Sequence, residues 1–166
     1  MTPAKTIVLG IGNILLSDEG VGVRAIEALH EHFEIPADVE VIDGGTSAME
    51  LLDDLSHAKL LIVVDALKAG RPPGSIVRLS GDEVPVFFRS KLSPHQIGLS
   101  DVLATLELLG EAPRETIIVG IQPATLTLGM EISNEVKAML PEVIRLVVAD
   151  LRHHGFEPQP RKALAV

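Results

Sequence analysis

Cysteine, tyrosine and tryptophan are absent from this chain, and its aromatic carbon rings come from four phenylalanines. Without thiols there is no disulfide framework, no cysteine nucleophile and no thiolate metal cage, a composition that fits a reducing cytoplasm. Without tyrosine or tryptophan there is little to stack on a flavin or a nucleobase, and the core has to be aliphatic. Positive charge is also scarce. Fourteen Lys and Arg face twenty-three Asp and Glu, leaving a net charge of −9, which argues against a nucleic-acid partner or an anionic membrane surface. The longest unbroken apolar run, 60–64, is far short of the roughly 20 residues that span a bilayer. The amino terminus has no basic segment followed by an apolar stretch and a small-residue cleavage site, so no signal peptide is expected.

What is present is a chain of 166 residues, 46% hydrophobic, long enough to bury roughly 70% of its unfolded surface in one domain. We expect that domain over 1–156, with 157–166 a flexible tail. Short apolar runs at 6–9, 60–65 and 116–121 read as buried strands, 39–43 reads as a further strand, and 75–79 alternates like a more exposed, antiparallel edge strand. Helical spacing separates them. Gly22, Ala25, Ile26, Leu29 and Phe33 share one face of a first helix. Ser47 and Glu50 match a capping box ahead of a second, with Met49, Leu52 and Leu55 inward. Val102, Leu103 and Leu106 mark a third that stops at Gly110. A last helix after Ser133 carries Val136, Leu140, Val143, Val147 and Leu151, with a kink or break expected at Pro141 and an end at Gly155. Residues 81–91 show no pattern and are expected to be irregular. Alternating strands and helices define an α/β fold: a three-layer sandwich with a mostly parallel twisted sheet of about five strands and helices on both faces.

The first strand leads into Gly10-Ile11-Gly12-Asn13 and then Asp18-Glu19-Gly20-Val21-Gly22. A strand–loop–helix opening is where open α/β sheets put ligand sites. It is not a dinucleotide fingerprint, because the third glycine would fall on Leu15. Nor is it a phosphate loop: no Gly-Lys-Ser/Thr follows, and the two carboxylates would repel an anion. A cation suits it better. Glu19 follows strand one, Asp65 ends the central strand and His95 precedes the third helix. In a parallel sheet all carboxyl ends point one way, so the three can converge, and two carboxylates with an imidazole suit a divalent transition metal. Asp or Glu at such positions also serves as a helix cap or a partner of the helix dipole, and that alternative stands beside the first. Asp43 precedes Gly44-Gly45, which implies an unusual backbone around a ligand. His30, His32, His57, His153 and His154 are read as structural, and Asp53 and Asp54 as a solvated helix face. There is no His-Glu-x-x-His and no Gly-x-Ser-x-Gly.

Five segments occur in a fixed order: Gly10-x-Gly12-Asn13-x-Leu15-Leu16-x-Asp18-Glu19-Gly20-x-Gly22, Asp43-Gly44-Gly45-Thr46, Val64-Asp65-Ala66, Ser93-Pro94-His95-Gln96 and Val119-Gly120-Ile121-Gln122-Pro123. In this combination the chain closely resembles the hydrogenase maturation endopeptidases. The resemblance implies a cytoplasmic α/β protein that removes a C-terminal extension from the large-subunit precursor of a nickel–iron hydrogenase after nickel insertion. It also implies contacts from Glu19, Asp65 and His95 to a nickel supplied by that precursor, with other divalent metals able to take its place in crystals. Asp43, Gly44 and Gly45 would form a supporting loop. Whether Glu19 or Asp65 acts as a general base is left open. The competing reading is a non-catalytic metal-delivery or chaperone module using the same three ligands. A nucleotide- or flavin-binding protein is a second.

Overall fold

The computed structural model describes residues 4–90 and 97–162. In chain order, β1 (Thr6–Ile11) is followed by a 3-10 turn at Ser17–Gly20, α1 (Val21–His32), β2 (Phe33–Glu34) and β3 (Val39–Gly45). A 3-10 turn at Ala48–Leu51 leads into α2 (Leu52–Leu55), β4 (Leu60–Ala66), β5 (Ile76–Ser80) and α3 (Glu83–Ser90). Then come α4 (Ile97–Leu108), β6 (Glu115–Ile121), α5 (Asn134–Lys137), α6 (Leu140–His153) and β7 (Gln159–Pro160). The main sheet has five strands in the order β3-β1-β4-β6-β5. All neighbours run parallel except β5, which lies antiparallel on the edge beside β6.

Period-two alternation builds both cores at once. Ile7, Leu9, Ile11, Leu61 and Val63 point to the layer of α2, α3 and α4. Val8, Leu60, Ile62 and Val64 point to the layer of α1, α5 and α6. Both faces of β4 are therefore covered, and its aliphatic side chains are almost wholly removed from water. This is the three-layer arrangement that the run at 60–65 implied. The edge strand is pinned to the helical layer by Arg78, whose guanidinium donates to both carboxylate oxygens of Asp150 at 2.6 and 3.1 Å.

Several local expectations are corrected. Residues 83–90 form a helix, because Val84 and Phe88 lie one turn apart and are both buried. Pro85 obscures that pattern in the sequence but sits in the first turn, where a missing N–H costs nothing. The Ser47–Glu50 capping box does not form, since Ser47 makes no side-chain cap bond. The segment is a 3-10 turn in which Glu50 N already donates to Ser47 O at 3.0 Å, leaving no unmet donor there for a side chain. The tighter winding also brings Ala48 inward and leaves Met49 exposed. At Pro141 the break is realised: α5 ends, and α6 starts with the proline in its first turn. Beyond Gly155, where the sequence suggests only a tail, β7 pairs antiparallel with β2. There Arg161 donates through its backbone N to His32 O at 2.8 Å and through Nε to His30 O at 2.7 Å.

Candidate active site at the β1/β4 switch point

From β1 the chain moves to one side of the sheet to make β3; from β4 it moves to the other to make β6. The order therefore reverses between β1 and β4, and the crevice outside their carboxyl ends is where open α/β sheets receive ligands. Glu19 stands in the 3-10 turn that follows β1, and Asp65 is the penultimate residue of β4. Both stand at this end of the sheet, and the charge of Glu19 acts on Asp65. Asp65 is buried, and its carboxyl holds its proton well above the usual aspartate range. Burial is the main cause; a hydrogen bond from the Ala66 backbone N–H opposes it, and the negative charge of Glu19 pushes further upward.

Two glycines make this arrangement possible. Gly12 has φ +141°, and a Cβ there would lie 1.8 Å from Glu19 O, so only glycine lets the turn fold back onto the end of β1. At Gly22 a Cβ would lie 2.2 Å from Val64 O and 2.4 Å from Ile11 O. The start of α1 is thus seated directly between β1 and β4. The spacing that resembles a nucleotide fingerprint serves to press a helix and an acidic turn against two strand ends.

Asp18, the neighbour of Glu19, does something else. It is fully buried, and its carboxylate accepts four hydrogen bonds: Ala124 N at 2.8 Å, Thr125 N at 3.1 Å, Ser133 N at 2.7 Å and Ser133 Oγ at 2.8 Å. The same Ser133 hydroxyl accepts from Val136 N and caps α5. Asp18 therefore fastens the loop after β1 to the loop after β6, across the end of the strand that carries Asp65. In the sequence Asp18 stands out only as half of an acidic pair. The available signal was the pairing itself, since two adjacent carboxylates in a turn cannot face the same way.

Gln122 braces the other side. Its Oε1 accepts from Ala69 N at 2.7 Å and Arg71 N at 3.3 Å, tying the segment after Asp65 to the end of β6. Asp43 is exposed at the end of edge strand β3, and its Oδ1 accepts from Gly45 N at 3.0 Å. Gly45, with φ +50°, offers its carbonyl to Gly12 N at 2.9 Å. Asp43, Gly44 and Gly45 thus close one flank of the β1 loop, as the last residues of a strand. α4 begins at the same flank, where Gly98 lies against Ala48. His95 lies outside the described residues, and among the described residues no group of three His, Asp or Glu is placed to hold a metal ion.

The remaining histidines are accounted for locally. His30, His32, His57 and His153 are exposed. His154 contacts Asp150 O at 2.8 Å and Glu115 Oε2 at 2.7 Å, at the opposite end of the parallel strands from Asp65.

This is an α/β protein with an acidic crevice at its switch point, and comparison with known proteins gives it a class. The family model described as hydrogenase maturation protease matches residues 23–150. The hydrogenase 2 maturation protease of Escherichia coli K12 is 43% identical over 161 residues, 96% of this chain and 98% of its own length. The solved structure of the E. coli hydrogenase maturating endopeptidase HybD superposes with a TM-score of 0.89, covering 95% of this chain and 98% of that one. A [NiFe] hydrogenase maturation protease HybD from Thermococcus kodakarensis, 29% identical, superposes at 0.71 over 86% of this chain and 96% of its own. The chain belongs to the hydrogenase maturation protease family. It is accordingly a peptidase, which decides against a metal-delivery module without catalysis and against a flavin- or nucleotide-binding protein.

Proposed function

We propose that this protein removes the C-terminal extension of a nickel–iron hydrogenase large-subunit precursor after nickel has been inserted, engaging the precursor's own nickel through Glu19, Asp65 and His95. The observation that supports this most is the Glu19–Asp65 pair at the β1/β4 crevice. A buried carboxyl whose pKa is raised by burial and by a second negative charge is relieved of both penalties when a divalent cation arrives. Two hard oxygens and a borderline imidazole nitrogen leave coordination positions open for ligands that the precursor itself contributes. Nickel in this scheme belongs to the substrate. It serves as a recognition element and template, and it can polarise the scissile carbonyl or a water. Glu19 and Asp65 are both candidates for the base that takes the proton from that water. We place the reaction in the cytoplasm; no helix among the described residues is long and apolar enough to cross a membrane.

Mass spectrometry of a nickel-loaded precursor before and after incubation tests the proposal. Wild-type protein should shorten it, while Glu19→Gln, Asp65→Asn and His95→Ala should fold and leave it intact. Nickel-free precursor should not be cut. Processing of nickel-free precursor, or wild-type rates from the His95→Ala variant, would refute the metal-recognition reading.

A further inference from the structure

The two loops fastened by Asp18 turn their polar groups towards one another and large apolar side chains towards water. Gly129 N donates to Leu15 O and Ser17 N to Gly129 O, both at 2.8 Å, making a bridge between Leu16 and Gly129. Ser17 Oγ donates to Thr127 O at 2.7 Å, Asp18 N to Thr125 O at 3.2 Å, and Arg24 Nη2 reaches over from α1 to Met130 O at 3.1 Å. The backbone of this platform is held on all sides. Yet Leu15 is 51% exposed, Leu128 85% and Met130 59%. Three large apolar side chains from two loops thus project beside the turn that carries Glu19, and none of them completes a core. Loop tips are ordinarily built from small polar residues, so three exposed apolar side chains on two loops tied backbone to backbone mark a contact surface.

We propose that this platform is the docking surface for an apolar segment of the polypeptide substrate, next to the bond that is cut. The occupant follows from continuity: the chain is a peptidase, and the backbone presenting Leu15, Leu128 and Met130 is the backbone that positions Glu19. A surface so close to the crevice is covered whenever a protein chain enters it. Fixing the platform before binding lowers the ordering cost of docking, and a methionine adapts to an irregular apolar neighbour. The inference rests on the reading of the Glu19–Asp65 crevice as the reacting site.

Steady-state processing of the nickel-loaded large-subunit precursor tests it. The double variant Leu128→Ser/Met130→Ser should raise KM about tenfold with kcat and thermal midpoint unchanged, the size expected when interface anchors are truncated. Leu108→Ser, which alters a side chain 88% exposed at the far end of α4, should change neither. An unchanged KM in the double variant would overturn the inference. So would sedimentation showing a wild-type dimer that the double variant dissociates, because the platform would then bind a second copy of this chain. Glu19→Gln and Asp65→Asn are run alongside. If both abolish processing while the double variant keeps the wild-type KM, only the docking surface fails. If both process at the wild-type rate, the site reading fails and the docking inference with it.

Discussion

Asp18 and Asp65 are both buried carboxylates, yet removing their charges should move stability in opposite directions. Asp18 has four donors directed at it, from Ala124 N, Thr125 N, Ser133 N and Ser133 Oγ. Replacing it by Ala leaves all four facing a small cavity. At about 1 kcal/mol for each lost bond the expected loss is about 4 kcal/mol. For a chain of this size that corresponds to a fall of about 8–16 °C in thermal midpoint. Asp65 is the reverse case: burial and the charge of Glu19 disfavour its ionised form, and the hydrogen bond from the Ala66 N–H favours it. Asp65→Asn keeps the shape, keeps an oxygen for Ala66 and removes the charge. It should stabilise the metal-free protein at neutral pH by about 1 kcal/mol, the range typical when a strained functional residue is replaced. A carboxyl whose folded pKa is raised costs stability above its unfolded value, and the cost fades as pH falls through the folded value. The advantage of Asp65→Asn should therefore shrink on acidification. Thermal and urea unfolding of the two variants and wild type, metal-free at pH 7, measures both effects. An Asp18→Ala loss below about 1 kcal/mol, or a clear destabilisation by Asp65→Asn, would refute this account of the crevice.

Gly22→Ala should cost about 3 kcal/mol, or prevent folding altogether, because the new methyl would meet two backbone carbonyls that cannot move aside; thermal unfolding or soluble yield measures it. The pKa of His154 is lowered by burial but raised further by its contacts with Asp150 O and Glu115, for a net rise above 6.5. Its contribution should thus be fully present below pH 6.5 and disappear as pH rises through the raised value. Glu115→Gln should lower the unfolding free energy measured in urea at pH 6 more than at pH 8, by less than about 1 kcal/mol since Glu115 is partly exposed. Truncation after Glu157 removes the β2–β7 pairing and both Arg161 bonds, and should cost about 1–3 kcal/mol in thermal or urea unfolding.

The layering was legible because β4 has to be covered on both faces: five aliphatic residues in succession leave no side for water. The antiparallel edge at 76–80 was legible for the converse reason, an alternation that exposes Arg78 between buried Val77 and Leu79. Nothing in one sequence could say that β1 lies between β3 and β4, because neighbours in a parallel sheet are chosen by long-range packing. The action of Glu19 on Asp65 depends on that choice. α3 was hidden by a proline whose effect depends on its place within the turn. The Ser47 cap was misleading because the pattern that announces an α-helix is the same in a 3-10 turn, where the backbone satisfies itself. Order after Gly155 was invisible because Arg161 bonds carbonyls at the end of α1, a contact across 131 positions for Nε.

The division of work between Asp18 and Glu19 has a geometric cause. A 3-10 turn advances three residues per revolution, so consecutive side chains point about 120° apart. Within Ser17–Gly20, a turn oriented so that Asp18 enters the loop after β6 must send Glu19 elsewhere, while its charge still acts on Asp65 at the end of β4. In an α-helix the step would be about 100° and each later residue would drift further from both targets. The turn ends at Gly20, and Val21 starts α1 in its place against the sheet, so neither carboxylate can exchange roles without moving the helix. Swapping the pair, Asp18→Glu with Glu19→Asp, preserves charge and composition but places a longer side chain where four donors fix the distance. The protein depends on which acid comes first, because one locates the turn and the other is located by it.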